Sequence, residues 1–350
     1  MRARGESSLA VPPPVEPAGA GFIERWWQGE TGGWGRVLDV ATAPLELVYR
    51  LGAGGYHRAY TSGRLRPAQA EIPVISVGNL SVGGTGKTPV TRWLVEELRR
   101  RGAKPAVLHG GYAEDEPALH RSWYPDVPVI VDRDRVRGAR AAADQGASVI
   151  VLDDGFQHRR LARDLDVVLI AAEGWTDRPR LLPRGPWREP LGALRRAHVI
   201  AVTWKTAGPE TTRRIVQELG WLAPRAIRLT LQLRPSRWRR VDGPAVDDAP
   251  AGRALAVAAI ARPELFVANA RERGAEVDEI VVFRDHHVYR ADDVERIRTL
   301  ARGRPVVTTA KDAVKLRPLA RDLDLWVLEQ EVVVEDGFAA LERRLDRLVS

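Results

Sequence analysis

The 350-residue chain contains no cysteine, which excludes disulfides, thiolate metal sites and cysteine nucleophiles and fits a reducing compartment. Lysine is almost as scarce: five, at positions 87, 104, 205, 311 and 315, stand against 49 arginines. A lysine in so arginine-rich a chain either marks a place where a guanidinium is too rigid or persists by chance. No run of 18 apolar residues occurs, so no transmembrane helix is expected. The first twenty residues carry Arg2, Arg4 and the run Pro12 to Pro14 without a continuous apolar core. They read as a disordered tail over 1–21 and not as a signal peptide.

What is present suits two folded domains. Hydrophobic residues at 44% are enough to bury a core, and the formal charge of +8 points to acidic partners: a phosphorylated substrate, an anionic membrane or a nucleic acid. The arginines are dispersed and no nucleic-acid module is recognisable, so no nucleic-acid partner is expected.

Residues 22–70 read as a helical region. Trp34, Val37, Leu38, Ala41, Leu45 and Val48 recur at helical spacing, with Phe22, Ile23, Trp26 and Trp27 upstream and arginines around them. Asp39, Pro44 and Glu46 interrupt the stripe. Two readings stay open: a helix lying in a membrane interface, or one packed on its own domain. From Pro73 onward, short β-branched runs alternate with helical stretches, the pattern of βαβ units and a mostly parallel sheet. Strands are expected at 74–77, 105–108, 128–131, 148–152, 166–170 and 198–203, and helices at 88–101, 135–145 and 209–219. Pro235, Gly243, Pro244, Pro250 and Gly252 make 234–252 the expected linker. Beyond it, strands near 254–260, 279–283, 305–308 and 325–328 alternate with helices near 263–273, 291–301 and 336–348. The fold class is therefore α/β: two α/β/α lobes with mostly parallel sheets, 71–235 and 236–350, the first resembling a P-loop NTPase, preceded by the amphipathic helical region.

Ser81-Val82-Gly83-Gly84-Thr85-Gly86-Lys87-Thr88 follows an expected strand and opens an expected helix, which is the context a Walker A loop requires. Its glycines let backbone N–H groups close on phosphate oxygens at a helix N-terminus. Lys87 would reach the β- and γ-phosphates of ATP and Thr88 would hold Mg²⁺. Pro89 falls in the first helical turn, where its missing N–H costs nothing. The strand ending at Leu152 runs into Asp153-Asp154-Gly155-Phe156-Gln157-His158. A carboxylate there can hold Mg²⁺ beside the loop while its neighbour takes a proton from an attacking hydroxyl; alternatively Asp154 only begins a turn. His286 and His287 follow another strand end beside Asp285, and either assist a carboxylate or lie on a surface loop.

Together these segments resemble the tetraacyldisaccharide 4'-kinase (lipid A 4'-kinase) family. The resemblance is carried by Val77-Gly78-Asn79-Leu80 through Pro89, Asp115-Glu116-Pro117, Val131 to Arg135, Leu152 to His158, Leu181-Leu182-Pro183 through Leu191, Ala261-Arg262-Pro263, Phe283 to Tyr289, and Thr308-Thr309 with Lys311-Asp312. It implies ATP-dependent phosphorylation of the 4'-hydroxyl of a tetraacyldisaccharide 1-phosphate, giving lipid IVA, with Mg²⁺, by a monomer bound peripherally to the cytoplasmic face of the inner membrane. It implies Asp154 as catalytic base working with His286, beside Lys87. Asp153 and Glu116 join Thr88 at the metal, and Asn79, Asp115, Gln157 and Arg188 become substrate or phosphate contacts. The chain departs from the family's Ser-Arg-Gly-Tyr-Gly string, carrying His109-Gly110-Gly111-Tyr112-Ala113, with Asp115-Glu116-Pro117 following almost at once. Arg184, where the family has a small residue, is expected to supply the missing positive charge. Ala310 replaces a usual acidic residue, and nothing in the sequence accounts for that change. Apart from the resemblance, the motifs also fit a P-loop kinase for another lipid-linked or soluble sugar, or a membrane-associated ATPase switch. The latter often carries an extra lysine near the loop's start, where this chain has Ser81 and Val82.

Overall fold

The computed structural model describes residues 22–111 and 114–350; the expected tail over 1–21, with Tyr112 and Ala113, lies outside the described residues. Two helices come first, α1 (Phe22–Trp27) and α2 (Gly32–Thr61), and Pro44 lies inside the second. The alternating part then runs β1 (Val74–Asn79), α3 (Lys87–Arg100), β2 (Pro105–His109), α4 (Asp115–Trp123), β3 (Val129–Val131), α5 (Arg135–Asp144), β4 (Val149–Asp153), β5 (Leu165–Ala171), β6 (Val199–Trp204) and α6 (Gly208–Leu222). The chain continues through β7 (Ile227–Arg240), β8 (Ala245–Val246), β9 (Arg253–Ala258), α7 (Pro263–Glu272), β10 (Glu276–Val282), α8 (Ala291–Ala301), β11 (Val306–Thr308), α9 (Ala310–Leu316), β12 (Leu325–Asp336) and α10 (Phe338–Val349).

All of these strands belong to one sheet, ordered β10-β9-β11-β12-β7-β6-β5-β1-β4-β2-β3, with β8 pairing β7. The pairings are parallel except for β7 with β12 and β7 with β8. Strand side chains alternate between faces, so each lobe has a core on either side of the sheet. In the first lobe Ile75, Val77, Val149 and Val151 pack under α3 and α10, and Ile150 and Leu152 face Ala139 and Ala142 of α5. In the second, Leu255 and Val257 meet Val294 and Ile297 of α8, while Ala254 and Ala256 meet Phe266 and Val267 of α7.

The expected linker begins inside a strand. β7 pairs β6 through Gln232, then runs antiparallel to β12 as far as Arg240. Pro235 sits opposite Gln330 at a register shift, where a missing N–H is tolerated. Position 235 therefore lies in a strand that both lobes share. The returning strand β12 delivers α10 to the first lobe: Leu341 and Leu345 are fully buried with Ile75 and Leu94, and Arg101 of α3 pairs with Asp346 at 2.8 Å.

Candidate active site

The site lies at the carboxyl edge of β1, β4 and β2, where ligands of open α/β sheets bind. β1 ends at Asn79, and the loop that follows turns back through Gly83 (φ +108°) and Gly86 (φ +86°) into α3. Gly86 is confined twice over: its φ is left-handed, and a Cβ there would come 2.4 Å from Leu233 Cδ1. Asn79 Nδ2 donates to Thr85 Oγ1 at 2.8 Å, and Lys87 Nζ donates to Asn79 Oδ1 at 3.3 Å. Thr203 Oγ1 of β6 donates to the Thr85 carbonyl at 2.9 Å. These bonds shape the loop from within the protein and tie Lys87 to Asn79. That fits the triphosphate of ATP.

Around it stand the acidic groups. Asp154, in the left-handed region at φ +54°, faces two cations: Lys87 Nζ at 3.6 Å and Arg188 at 2.9 Å. Thr88 Oγ1 donates to Glu116 Oε1 at 3.2 Å, and Lys311 Nζ, from α9 of the other lobe, donates to the same oxygen at 2.9 Å. Burial lowers the Lys311 ammonium, but Glu116, Asp115 and Asp153 more than compensate and raise it. Asp153 ends β4 fully buried. Burial would raise its carboxyl, yet the imidazoles of His120 and His109 and the Lys87 ammonium hold it well below the ordinary range. Thr88 and Glu116, which contact each other, and Asp153 at the end of β4 offer oxygen donors of the kind Mg²⁺ takes.

Asp115, at the start of α4, meets His286 of the opposite lobe: Nδ1 lies 3.1 Å from Asp115 Oδ2. Burial pushes Asp115 up, but the His286 bond and the Lys311 charge outweigh it and bring the carboxyl to about 2. The Asp115 bond raises His286 in turn, against its own desolvation. His286 also sits at φ +56°, so both Asp154 and His286 hold backbones that non-glycine residues rarely adopt, as residues at functional sites often do.

The sequence-derived residues therefore gather, with two changes of partner. His286 bonds Asp115, whereas Asp154 is held by Lys87 and Arg188, so the expected Asp154–His286 pairing is not the one made. Arg184, expected to supply charge to the site, instead pairs with Glu46 of α2 at 3.4 Å, because that buried carboxylate also caps the Leu181 N–H at 3.0 Å. Gln157 Nε2 donates to the Asn79 carbonyl at 2.8 Å and to Glu189 at 3.1 Å, bracing the loop from behind. Ser81 and Trp187 form an isolated bridge, and Val82 N donates to the Pro186 carbonyl at 2.7 Å, so the 181–188 segment lies against the loop. Sequence reasoning missed two groups. Lys311 had a signal, its rarity as a lysine. His120, on α4 beside Asp153, had none, because no local spacing links it to β4.

α2 is amphipathic the wrong way round for a core helix. Glu46 and Asp39 face the protein, binding Leu181 N and Arg180, and Tyr49 Oη donates to the Arg188 carbonyl at 3.0 Å. The apolar stripe faces out: Trp34 is 74% and Val48 68% exposed, with Val37, Val40, Leu45 and Leu51 also exposed. No helix among the described residues is long and apolar enough to cross a membrane.

A family model described as tetraacyldisaccharide-1-P 4'-kinase matches residues 38–116 and 113–350. The tetraacyldisaccharide 4'-kinase of Halorhodospira halophila is 38% identical over 83% of this chain and 88% of its own length. That of an Anaeromyxobacter species is 38% identical over 93% of this chain and 95% of its own. Among solved structures, LpxK from Aquifex aeolicus in complex with ATP superimposes with a TM-score of 0.72 at 26% identity, covering 89% of this chain and all of that one.

Proposed function

The chain belongs to the tetraacyldisaccharide-1-phosphate 4'-kinase family, and from that membership we infer that it transfers the γ-phosphate of ATP to the 4'-hydroxyl of a tetraacyldisaccharide 1-phosphate, the step of lipid A biosynthesis that yields lipid IVA. The observation that carries the reading is the Asp115–His286 pair facing a formed phosphate loop from two lobes of one chain. The loop from Ser81 to Thr88 receives the triphosphate of ATP, and Lys87 neutralises charge on the β- and γ-phosphates. Thr88, Glu116 and Asp153 would hold Mg²⁺, which would supply further neutralisation of the phosphates. Asn79 and Gln157 fix the loop's shape.

The proton leaves the sugar hydroxyl for the Asp115–His286 pair. Asp154 lies between Lys87 and Arg188, and both of its carboxylate oxygens are engaged by these cations. Its role is to aim both cations at the transferred phosphoryl group, which is where most of the rate enhancement in phosphoryl transfer arises. Asp115 shares its proton traffic with a single imidazole whose side chain is half exposed, so a substrate hydroxyl can approach it. Both halves of this arrangement come from one chain, so the site needs no second copy, which supports a monomer.

The outward apolar face of α2 lies on an anionic membrane, at the cytoplasmic face of the inner membrane, where an acylated substrate resides. Tyr49 and Glu46 on the opposite face of α2 fasten it to the segment that carries Arg188, which joins the membrane contact to the site.

The test uses purified full-length protein with Mg²⁺, labelled ATP and tetraacyldisaccharide 1-phosphate in detergent micelles, beside Lys87→Ala. Label on the lipid with wild type alone supports the reading. ATP hydrolysis without transfer to any acylated disaccharide would sink it in favour of an ATPase switch.

A further inference from the structure

Beneath the phosphate loop lies a cluster that the kinase reaction does not use as a whole. His109 ends β2, Asp153 ends the adjacent β4, and His120 reaches in from α4. Their relative exposures are 4%, 2% and 0%. One ligand atom from each lies within 4.8 Å of the other two. His109 Nδ1 is 3.6 Å and His120 Nε2 is 3.8 Å from Asp153 Oδ2.

These separations are too long for hydrogen bonds, which end near ~3.2 Å for N–H···O. They are close to the spacing of donors around one ion: four ligands at about 2.0–2.1 Å in a tetrahedron stand about 3.3–3.4 Å apart. Five atoms of the cluster are buried with no hydrogen-bond partner among the described residues: His109 Nε2, both ring nitrogens of His120, and both oxygens of Asp153. Burying a carboxylate whose neighbouring imidazole nitrogens stand beyond hydrogen-bond reach is unfavourable, and the unbonded ring nitrogens add to that. A cation bound through His109 Nδ1, His120 Nε2 and Asp153 relieves the cost at the carboxylate and at one ring nitrogen of His120.

We propose that His109, His120 and Asp153 form a binding site for one borderline-soft divalent transition-metal ion, of the Zn²⁺ or Co²⁺ kind. Two imidazoles and a carboxylate are the donors such ions take, whereas Mg²⁺ prefers oxygen and keeps its waters. The site differs in donor chemistry from the oxygen set of Thr88, Glu116 and Asp153, and shares Asp153 with it. An ion here ties the ends of β2 and β4 to α4, the helix that presents Asp115 and Glu116. His109 is also one of the places where the chain departs from the string of the family it resembles.

The experiment adds CoCl₂ to the untagged full chain after dialysis against EDTA. Expected are one equivalent of bound Co²⁺, the intense visible bands of a tetrahedral cobalt centre, and a higher unfolding temperature with the metal than without it. His109→Ser and His120→Ala each abolish the bands, and His287→Ala, at a second histidine–carboxylate contact, leaves them unchanged. Cobalt binding that survives both substitutions, or is lost in His287→Ala, overturns the assignment. So does the absence of a bound equivalent in wild type. Should the variants fold poorly, X-ray absorption at the cobalt edge of the wild-type complex decides independently: two imidazole ligands are expected, and a shell of oxygens alone refutes the site.

Discussion

Replacing Asp115 by Asn removes the carboxylate from the interlobe pair while keeping its size. The substitution breaks a charge-assisted bond of 3.1 Å that raises the His286 imidazole and lowers the Asp115 carboxyl to about 2. General-base assistance contributes roughly 10² to 10⁴ in rate, so turnover should fall by that factor, about 3–6 kcal/mol of barrier at about 1.4 kcal/mol per decade. His286→Ala should cost a similar factor, and the double variant little more than either alone, because the two act as one unit. The pH profile adds a sign. Wild-type kcat/KM should rise with pH as His286 gives up its proton, at a pH above the ordinary imidazole value, since Asp115 holds that proton on. In Asp115→Asn the holding bond is gone and desolvation remains, so any residual activity should rise at lower pH than in wild type. The assay is label transfer from ATP to the tetraacyldisaccharide across pH at saturating ATP. Multiplicative losses in the double variant, or an unmoved inflection, would show that the pair is not the proton acceptor.

Three further outcomes can be checked. Trp34→Glu with Val48→Glu should leave the unfolding temperature unchanged, since both side chains are exposed. It should lower co-sedimentation with anionic vesicles by roughly tenfold or more, and equal sedimentation would remove the membrane reading of α2. Gly86→Ala should weaken ATP binding in a calorimetric titration, because its φ of +86° and the 2.4 Å approach to Leu233 both resist a Cβ; unchanged affinity would mean the loop re-forms freely. Glu46→Ala leaves the Leu181 N–H and Arg184 without that carboxylate and should cost about 1–3 kcal/mol in urea unfolding, and a loss well below that range would mean α2 is not fastened there.

The elements whose signals are local could be read from the chain. The strands of the first lobe and the phosphate loop are short buried runs and glycine turns, and they lie within a residue or two of expectation. β7 is not legible in the same way although Ile227, Leu229, Leu231 and Leu233 alternate cleanly, because Pro235 and the following turn residues suggest a break. Nothing in the sequence of α10 says that it returns to the first lobe; its apolar face fits either core. Partners across the cleft are equally hidden. Asp115 and His286 are 171 residues apart, and the sequence offers Asp154 as the more obvious mate because it follows a strand and adjoins Asp153. The inward polar face of α2 is visible only as interruptions in a stripe, and its meaning comes from Glu46 and Tyr49 finding partners in the 181–188 segment.

The long ribbon of β7 and β12 has a mechanical consequence. A loop hinge would let the lobes swing widely at little cost. Here the lobes share two hydrogen-bonded strands of 14 and 12 residues, so separating Asp115 from His286 means twisting a paired ribbon. Its pairing is interrupted at register shifts near Leu328 and Val334, where a bulged strand bends and twists more strongly. Any change in the separation of Asp115 and His286 is therefore carried by that paired ribbon and not by a loop.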